Sequence, residues 1–279
     1  MIYNEDCLEV FKNMESESID LFITDCPYKI IGGGGCTNDA VKIGKYTHGE
    51  PSGIFDRRGK KADVFAKNSH GNYIHGDSKH ISLCGMFDDT DPTTYAKNGT
   101  LFKHNDIEFS EWLPEVYRVM KQNTHSYIMI NPRNLKDLWI EAEKVGFEFQ
   151  QLIVWNKGNN TPNKYYLNAY ELILMLRKGN AKNINDMGTT NILSVPNIVG
   201  TKKHPTEKPV GLMKILVSNS SNEGDTVLDC FMGVGATGVA CKQLNREFIG
   251  IEIDERYYEI ASERIDGTTN IIKEQLSMF

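Results

Sequence analysis

The apolar positions of this chain fall into short unbroken runs that alternate with stretches of helical period. Ile19-Asp20-Leu21-Phe22-Ile23-Thr24 is nearly continuous, as expected of a strand covered on both faces. Residues 110–121 space their apolar side chains as an amphipathic helix does, and residues 125–130 read as a second strand. A helix over 134–145 stops at Gly146. Strands follow at 149–155 and 171–176, and a helix over 210–220 opens behind Pro209, where proline suits a first turn. The pattern closes with a strand at 226–228, a glycine loop, a helix from about 236, a strand at 247–253 and a helix from Asp254. Such alternation predicts a doubly wound α/β fold, a mostly parallel sheet with helices on both faces.

Two polar stretches interrupt it. Residues 31–104 open with Gly32-Gly33-Gly34-Gly35, carry ten Lys/Arg and hold five of the seven histidines. A loop region of that length is usually functional or disordered. His70, His75, His80 and Cys84 recur every four or five residues there, a spacing that matches no familiar closed zinc site, and no metal is expected. Residues 177–203 are basic, rich in Asn and without periodicity.

The 279 residues, 40% hydrophobic and 24% charged, suit one large α/β domain with insertions. No apolar run approaches the ~20 residues needed to cross a bilayer, and the first residues lack the basic and apolar regions of a signal peptide. The six cysteines follow no framework spacing. Reduced thiols in a cytoplasmic protein, monomer or homodimer, are the expectation. The net charge of −6 argues against a nucleic-acid partner until its distribution is considered. Residues 156–214 carry nine Lys/Arg against three Asp/Glu, and residues 215–279 five against eleven. Attraction to phosphate is a local property with a reach of about 10 Å, so the basic stretch can serve DNA on an acidic protein. A solvated lysine-rich face is the plainer alternative.

Chemistry concentrates at the ends of two predicted strands. Gly233-Val234-Gly235-Ala236-Thr237-Gly238 lies between a strand and a helix, and Glu252 ends the next strand. The spacing fits a dinucleotide fingerprint and hence a nicotinamide oxidoreductase. Two details oppose that reading: Asp229-Cys230-Phe231-Met232 separate strand from glycines, and a carboxylate at Asp229 would face a pyrophosphate. An acid there suits an ammonium-bearing ligand such as S-adenosylmethionine, and Glu252 can accept hydrogen bonds from ribose hydroxyls. A tight turn without a ligand stays open as well.

Asp25-Cys26-Pro27-Tyr28 ends the first strand. The exocyclic amine of adenine or cytosine is a poor nucleophile because its lone pair is delocalised into the ring. The Asp25 carboxylate and the Cys26 carbonyl can each accept one amine hydrogen, Pro27 stiffens the turn, and Tyr28 offers a stacking face worth ~1–3 kcal/mol to an extruded base. Cys26 as a covalent nucleophile is the weaker alternative, because cytosine-C5 enzymes present Pro-Cys rather than Cys-Pro. A strand-ending turn is the structural alternative.

Taken together these motifs resemble the bacterial and phage DNA amino-methyltransferases, the N6-adenine and N4-cytosine group. Asp25-Cys26-Pro27-Tyr28 resembles the family's Asp-Pro-Pro-Tyr, and Asp229-Cys230-Phe231-Met232-Gly233-Val234-Gly235 its Asp-Pro-Phe-x-Gly-Ser-Gly, with Cys for Pro in both. His204-Pro205-Thr206-Glu207-Lys208-Pro209 is similar to His-Pro-Thr-Gln-Lys-Pro, and Asn4-Glu5-Asp6-Cys7-Leu8 to the N-terminal Gly-Asp-Cys stretch. The resemblance covers residues 1–30 and about 105–265. It implies a circularly permuted order and a seven-stranded Rossmann-like sheet with one antiparallel strand. It further implies S-adenosylmethionine held by Asp6, Thr206, Lys208, Asp229, Phe231, Gly233, Gly235 and Glu252, with Lys208 near the donor's carboxylate and Asp6 beside its adenine. Double-stranded DNA is the implied substrate, adenine N6 over cytosine N4 because the family's Asp-led forms are mostly adenine-directed. The implied target-recognition segment at 177–203 is short, so the 31–104 insert is expected to share DNA reading. A separate restriction nuclease is a compatible partner, and a catalytically silent DNA-binding regulator a competing function.

Overall fold

A computed structural model gives the structure of the protein and describes residues 1–27, 66–67, 73–74, 107–161, 166–180, 182–198 and 207–276. The chain divides into two units, Met1–Tyr28 with Asp106–Phe279, and Lys29–Asn105. The first unit begins with β1 (Ile2–Tyr3), α1 (Cys7–Phe11) and β2 (Ile19–Asp25). In the second, β3 (Ala66–Lys67) and β4 (Tyr73–Ile74) pair antiparallel, and the rest of the 31–104 insert lies outside the described residues. The first unit continues with α2 (Phe109–Val119), β5 (Met120–Ile130), α3 (Leu135–Val145), β6 (Glu148–Thr161), β7 (Asn168–Lys178) and β8 (Ile192–Ser194). It ends with α4 (Val210–Ser220), β9 (Thr226–Asp229), α5 (Ala236–Gln243), β10 (Glu247–Ile251) and α6 (Glu255–Leu276).

Eight strands of the first unit form one sheet in the order β1-β10-β9-β2-β5-β7-β6-β8. Strands β1, β10, β9, β2 and β5 are parallel in sequence of pairing, β7 is antiparallel to both β5 and β6, and β8 runs parallel to β6. The single antiparallel strand is as expected, whereas the strand count is eight rather than seven. Two of the eight, β1 and β8, lie outside the six strands that the apolar pattern predicts; in β8, Ile192, Leu193 and Ser194 pair with Val154, Trp155 and Asn156. Three residues with one buried side chain leave no readable period, which is why the stretch looks featureless in the sequence.

The unbroken apolar runs have a simple cause. Along β2, Phe22 joins one core with α1, α2 and α3, while Leu21 and Ile23 join the other with α4, α5 and α6. The same division holds along β7, where Leu172, Leu174 and Leu176 face one core and Ile173 and Met175 the other. With both faces covered, a polar residue would be buried wherever it fell. α2 stops two residues earlier than its period suggests, because Met120 turns extended (ψ 137) and starts β5 at once. Gly146 ends α3 in the left-handed conformation (φ 113), and its N–H reaches the Ala142 and Glu143 carbonyls.

Parallel strands present their carboxyl ends along one edge. Asp25 closes β2, Asp229 closes β9 and Glu252 follows β10, all on that edge, while antiparallel β7 starts there with Glu171 near its beginning. Successive connections leave β9 towards β10 and β2 towards β5, so the strand order reverses between β9 and β2. In open α/β sheets ligands bind outside the carboxyl ends at such a reversal.

Candidate active site

Asp25 is half-buried at the end of β2, and Cys26 beyond it is buried. The Lys208 ammonium pairs with Asp25 Oδ2, and Oδ1 accepts no hydrogen bond among the described residues. Burial pushes the Asp25 carboxyl above its ordinary value, with Lys208 opposing and Glu171 reinforcing the rise. The carboxylate is therefore anchored through one oxygen and retains an acceptor on the other. Cys26 points its thiol into the core, where Sγ donates to the Met129 carbonyl at 3.6 Å. Burial, and then the Asp25 charge, push that thiol well above its ordinary value. A neutral, inward thiol disfavours the nucleophile reading and leaves the backbone carbonyl as the useful atom of Cys26. Pro27 follows half-buried, and Tyr28 lies outside the described residues.

The second loop is built around Asp229. Its Oδ1 accepts from Thr24 Oγ1 at 2.8 Å and from the Phe231 N–H at 3.2 Å, and its Oδ2 from Thr237 Oγ1 at 2.7 Å. Expected to meet a ligand's ammonium, this acid commits both oxygens to tying β2, the loop and α5 together. Burial nevertheless raises the carboxyl from 3.8 to about 6, the hydroxyl donors holding it down in part. Relative to an ordinary carboxyl that is roughly 3 kcal/mol. A raised folded-state value means stability is greatest where Asp229 is protonated and declines as pH rises from about 4 to about 6. Asp229→Asn should therefore flatten the pH dependence of stability over that window. Urea unfolding at a series of pH values measures this, and an unchanged difference between pH 4 and pH 6 would contradict it.

Gly233 and Gly235 adopt φ 53 and φ 75, which side chains disfavour. A Cβ at Gly235 would stand 3.0 Å from that of Ala261, so this glycine lets α6 approach. A Cβ at Gly233 would meet no described atom within 4 Å, so here the backbone borders open space. Glu252 accepts from the Gly233 N–H with Oε2 and from the Asp254 N–H with Oε1, both at 2.9 Å. Asp6 caps α1 by accepting from the Leu8 N–H at 2.8 Å. Phe231 lies edge-on to Trp112 with centroids 5.4 Å apart. Thr206, with His204 and Pro205, lies outside the described residues. Open backbone at Gly233, carboxylates at Glu252 and Asp6 and an aromatic at Phe231 fit a nucleoside carrying an amino acid, the make-up of S-adenosylmethionine.

Lys208 is the residue whose surroundings depart furthest from expectation. Read as a contact for the donor's carboxylate, it is buried and bridges Asp25 and Glu171, 3.4 Å from Glu171 Oε2. Glu171, Thr24 and Thr237 escaped the sequence reading because each sits within an apolar run or helix. Arg264 escaped it too: its guanidinium donates to the Val234 carbonyl at 2.5 Å and pairs with Glu207 at 2.9 Å, fastening the glycine loop to the segment that carries Lys208. The identical Pro-to-Cys departures have a shared explanation. Cys26 and Cys230 belong, with Cys7, to the core under α1 and α2, where a small apolar side chain suffices. Trp155 is buried with its indole N–H donating to the Val195 carbonyl at 2.8 Å, a packing residue. Among the described residues no group of three His, Cys, Asp or Glu could hold a metal, and His70, His75, His80 and Cys84 lie outside them. No described helix is long and apolar enough to cross a membrane.

An acidic acceptor and a glycine loop at the reversal of a doubly wound sheet suit an enzyme of the Rossmann-like class that uses a nucleoside cofactor. The chain belongs to the DNA methylase family of N6 and N4 methyltransferases, whose profile matches residues 19–263. It is 30% identical to the Type II methyltransferase M.HpaI of Haemophilus parainfluenzae over 95% of this chain and 74% of that one. It is 26% identical to the Type II methyltransferase M2.DpnII of Streptococcus pneumoniae, over 96% and 90%. Among solved structures, M1.HpyAVI in complex with S-adenosylmethionine superposes with TM-score 0.59 at 24% identity, covering 95% of this chain and 98% of that one. The cytosine-N4-specific PvuII methyltransferase superposes with TM-score 0.60 at 14% identity, covering 99% and 92%. These two establish the shared fold.

Proposed function

We propose that this DNA methyltransferase transfers the methyl group of S-adenosylmethionine to the exocyclic N6 of adenine in double-stranded DNA. The observation that carries the reading is Asp25: one oxygen fixed by Lys208, the other uncommitted, on the sheet edge that also carries the glycine loop. S-adenosylmethionine, when bound, supplies a methyl group on a positively charged sulfur. Gly233, Phe231, Glu252 and Asp6 are the residues to hold it. An amine inside a duplex is out of reach, so the base must be extruded, with Tyr28 as its stacking partner. Asp25 Oδ1 and the Cys26 carbonyl each accept one amine hydrogen, which returns electron density to nitrogen as it becomes tetrahedral. Most of the remaining task is positioning. The raised Asp25 carboxyl also suits it to receive the proton that the methylated nitrogen sheds.

DNA reading is assigned to the 31–104 insert together with residues 177–203. In the latter, the Asn185 side chain donates to the Ser218 and Ser221 carbonyls, and β8 extends the sheet. Deleting residues 40–100 should abolish site preference while donor binding persists, and unaltered site preference would contradict the assignment. The base is tested by expressing the protein in a bacterial host without its own DNA methylases and sequencing the genomic DNA for modified bases. N6-methyladenine at one recurring sequence is expected; N4-methylcytosine there instead would overturn the base assignment and keep the role of Asp25.

A further inference from the structure

Four charged side chains from four separate elements alternate in sign at the sheet edge. Asp25 ends β2, Lys208 precedes α4, Glu171 lies near the start of β7 and Lys157 lies late in β6. Lys208 pairs with Asp25 and stands 3.4 Å from Glu171 Oε2, while Lys157 stands 3.4 Å from Glu171 Oε1. Both lysine side chains are about nine-tenths buried, at 10% and 9% exposure, and Glu171 is the more open at 36%. Burial pushes the Glu171 carboxyl up, but Lys208 and then Lys157 outweigh it and hold the group below its ordinary value. Glu171 is thus an anion throughout the neutral range.

Structural ion pairs could also join β6, β7 and the start of α4 without bearing on the reaction. The geometry argues for more. A buried ammonium facing Asp25 alone would neutralise it and blunt its remaining oxygen as an acceptor. A second anion on the same ammonium divides that charge, and Lys157 on the far side keeps the second anion from claiming all of it. We propose that Glu171, clamped between Lys157 and Lys208, is a positioning residue for methyl transfer: it shares the Lys208 charge so that Asp25 is anchored by one oxygen and keeps the other for the base amine. This rests on the assignment of Asp25 made above.

Among the described residues, the groups that face Asp25 are Lys208, Glu171, the Cys26 thiol and, across β2 and β9, Asp229. Cys26 and Asp229 are common to every variant considered, so differences between variants report the lysine–glutamate chain. Removing the Glu171 charge with Glu171→Gln takes away an influence that raises Asp25 and frees Lys208 to lower it. Removing the Lys157 charge with Lys157→Met leaves Glu171 to Lys208 alone, weakening the hold of Lys208 on Asp25. The two substitutions must therefore displace Asp25 in opposite directions.

The experiment is kcat/KM for DNA methylation from about pH 4 to 9.5, with kcat on the plateau and donor Kd by calorimetry. Glu171→Gln should move the acid limb down by about one pH unit, with kcat about tenfold lower. Lys157→Met should move the limb up, and Glu171→Asp should restore most of the native profile. Donor Kd should stay within about twofold throughout. Limbs that do not move, or that move the same way in Glu171→Gln and Lys157→Met, would overturn the proposal, since loosened packing predicts no opposition of sign. Absence of DNA methylation by the native protein at every pH would instead overturn the Asp25 assignment itself.

Discussion

Replacing Asp25 by Ala lowers the methylation rate by about 10³-fold or more, with S-adenosylmethionine affinity changed only a few-fold. The magnitude follows from what is removed. A preorganised acceptor aimed at developing charge is typically worth ~10²–10³ in rate, and Asp25 also takes part in the shed proton's departure. The substitution leaves the buried Lys208 without its nearest anion, which alone could disturb the fold. Asp25→Asn also removes the anion beside Lys208 but keeps an acceptor oxygen in place, so the difference between the two variants reports the acceptor. It should retain more activity than Asp25→Ala while binding donor equally well. Single-turnover rates with donor affinity by calorimetry measure both, and an Asp25→Ala protein within tenfold of native activity would contradict the account.

Replacing Trp112 by Ala destabilises the protein by about 3–5 kcal/mol, enough to lower the thermal midpoint by some 8–15 °C. Trp112 on α2 is fully buried and touches Phe22, Phe109 and Phe231, so its removal opens a cavity between α2, β2 and the glycine loop. Its indole N–H has no hydrogen-bond partner among the described residues, a burden on the fold. Trp112→Phe sheds that burden while keeping most of the apolar contact, and should lose well under half as much stability. Because Phe231 leans on Trp112, the Ala variant should also weaken donor binding. Differential scanning calorimetry measures the first effect, and a loss below about 1 kcal/mol would show that α2 does not carry this core.

Both ends of the candidate site are visible in the sequence because each sits where a strand pattern stops. Asp25 and Asp229 stand at the carboxyl ends of β2 and β9, and of the glycines that follow Asp229 Gly235 serves packing against α6 while Gly233 borders open space. The helix over 210–220 was readable to the residue, since Pro209 fixes its start. The lysine–glutamate chain was not readable, because its members are 14 to 183 residues apart and meet through pairing across β2, β5, β7 and β6. Glu171 looks like the polar edge of an apolar strand; only the antiparallel direction of β7 carries it to the edge that holds Asp25. Thr24 and Thr237 pass for ordinary strand and helix residues until Asp229 is seen to need their hydroxyls. β8 was hidden by length alone.

The central claim is that Asp25 presents an adenine amine for methylation. Mass spectrometry of nucleosides from DNA of varied sequence, incubated with the purified protein and S-adenosylmethionine beside Asp25→Ala, tests it most directly. The account predicts N6-methyladenine with the native protein and none above background with the variant. N6-methyladenine formed equally by both proteins, or no methylated base with the native one, would contradict it.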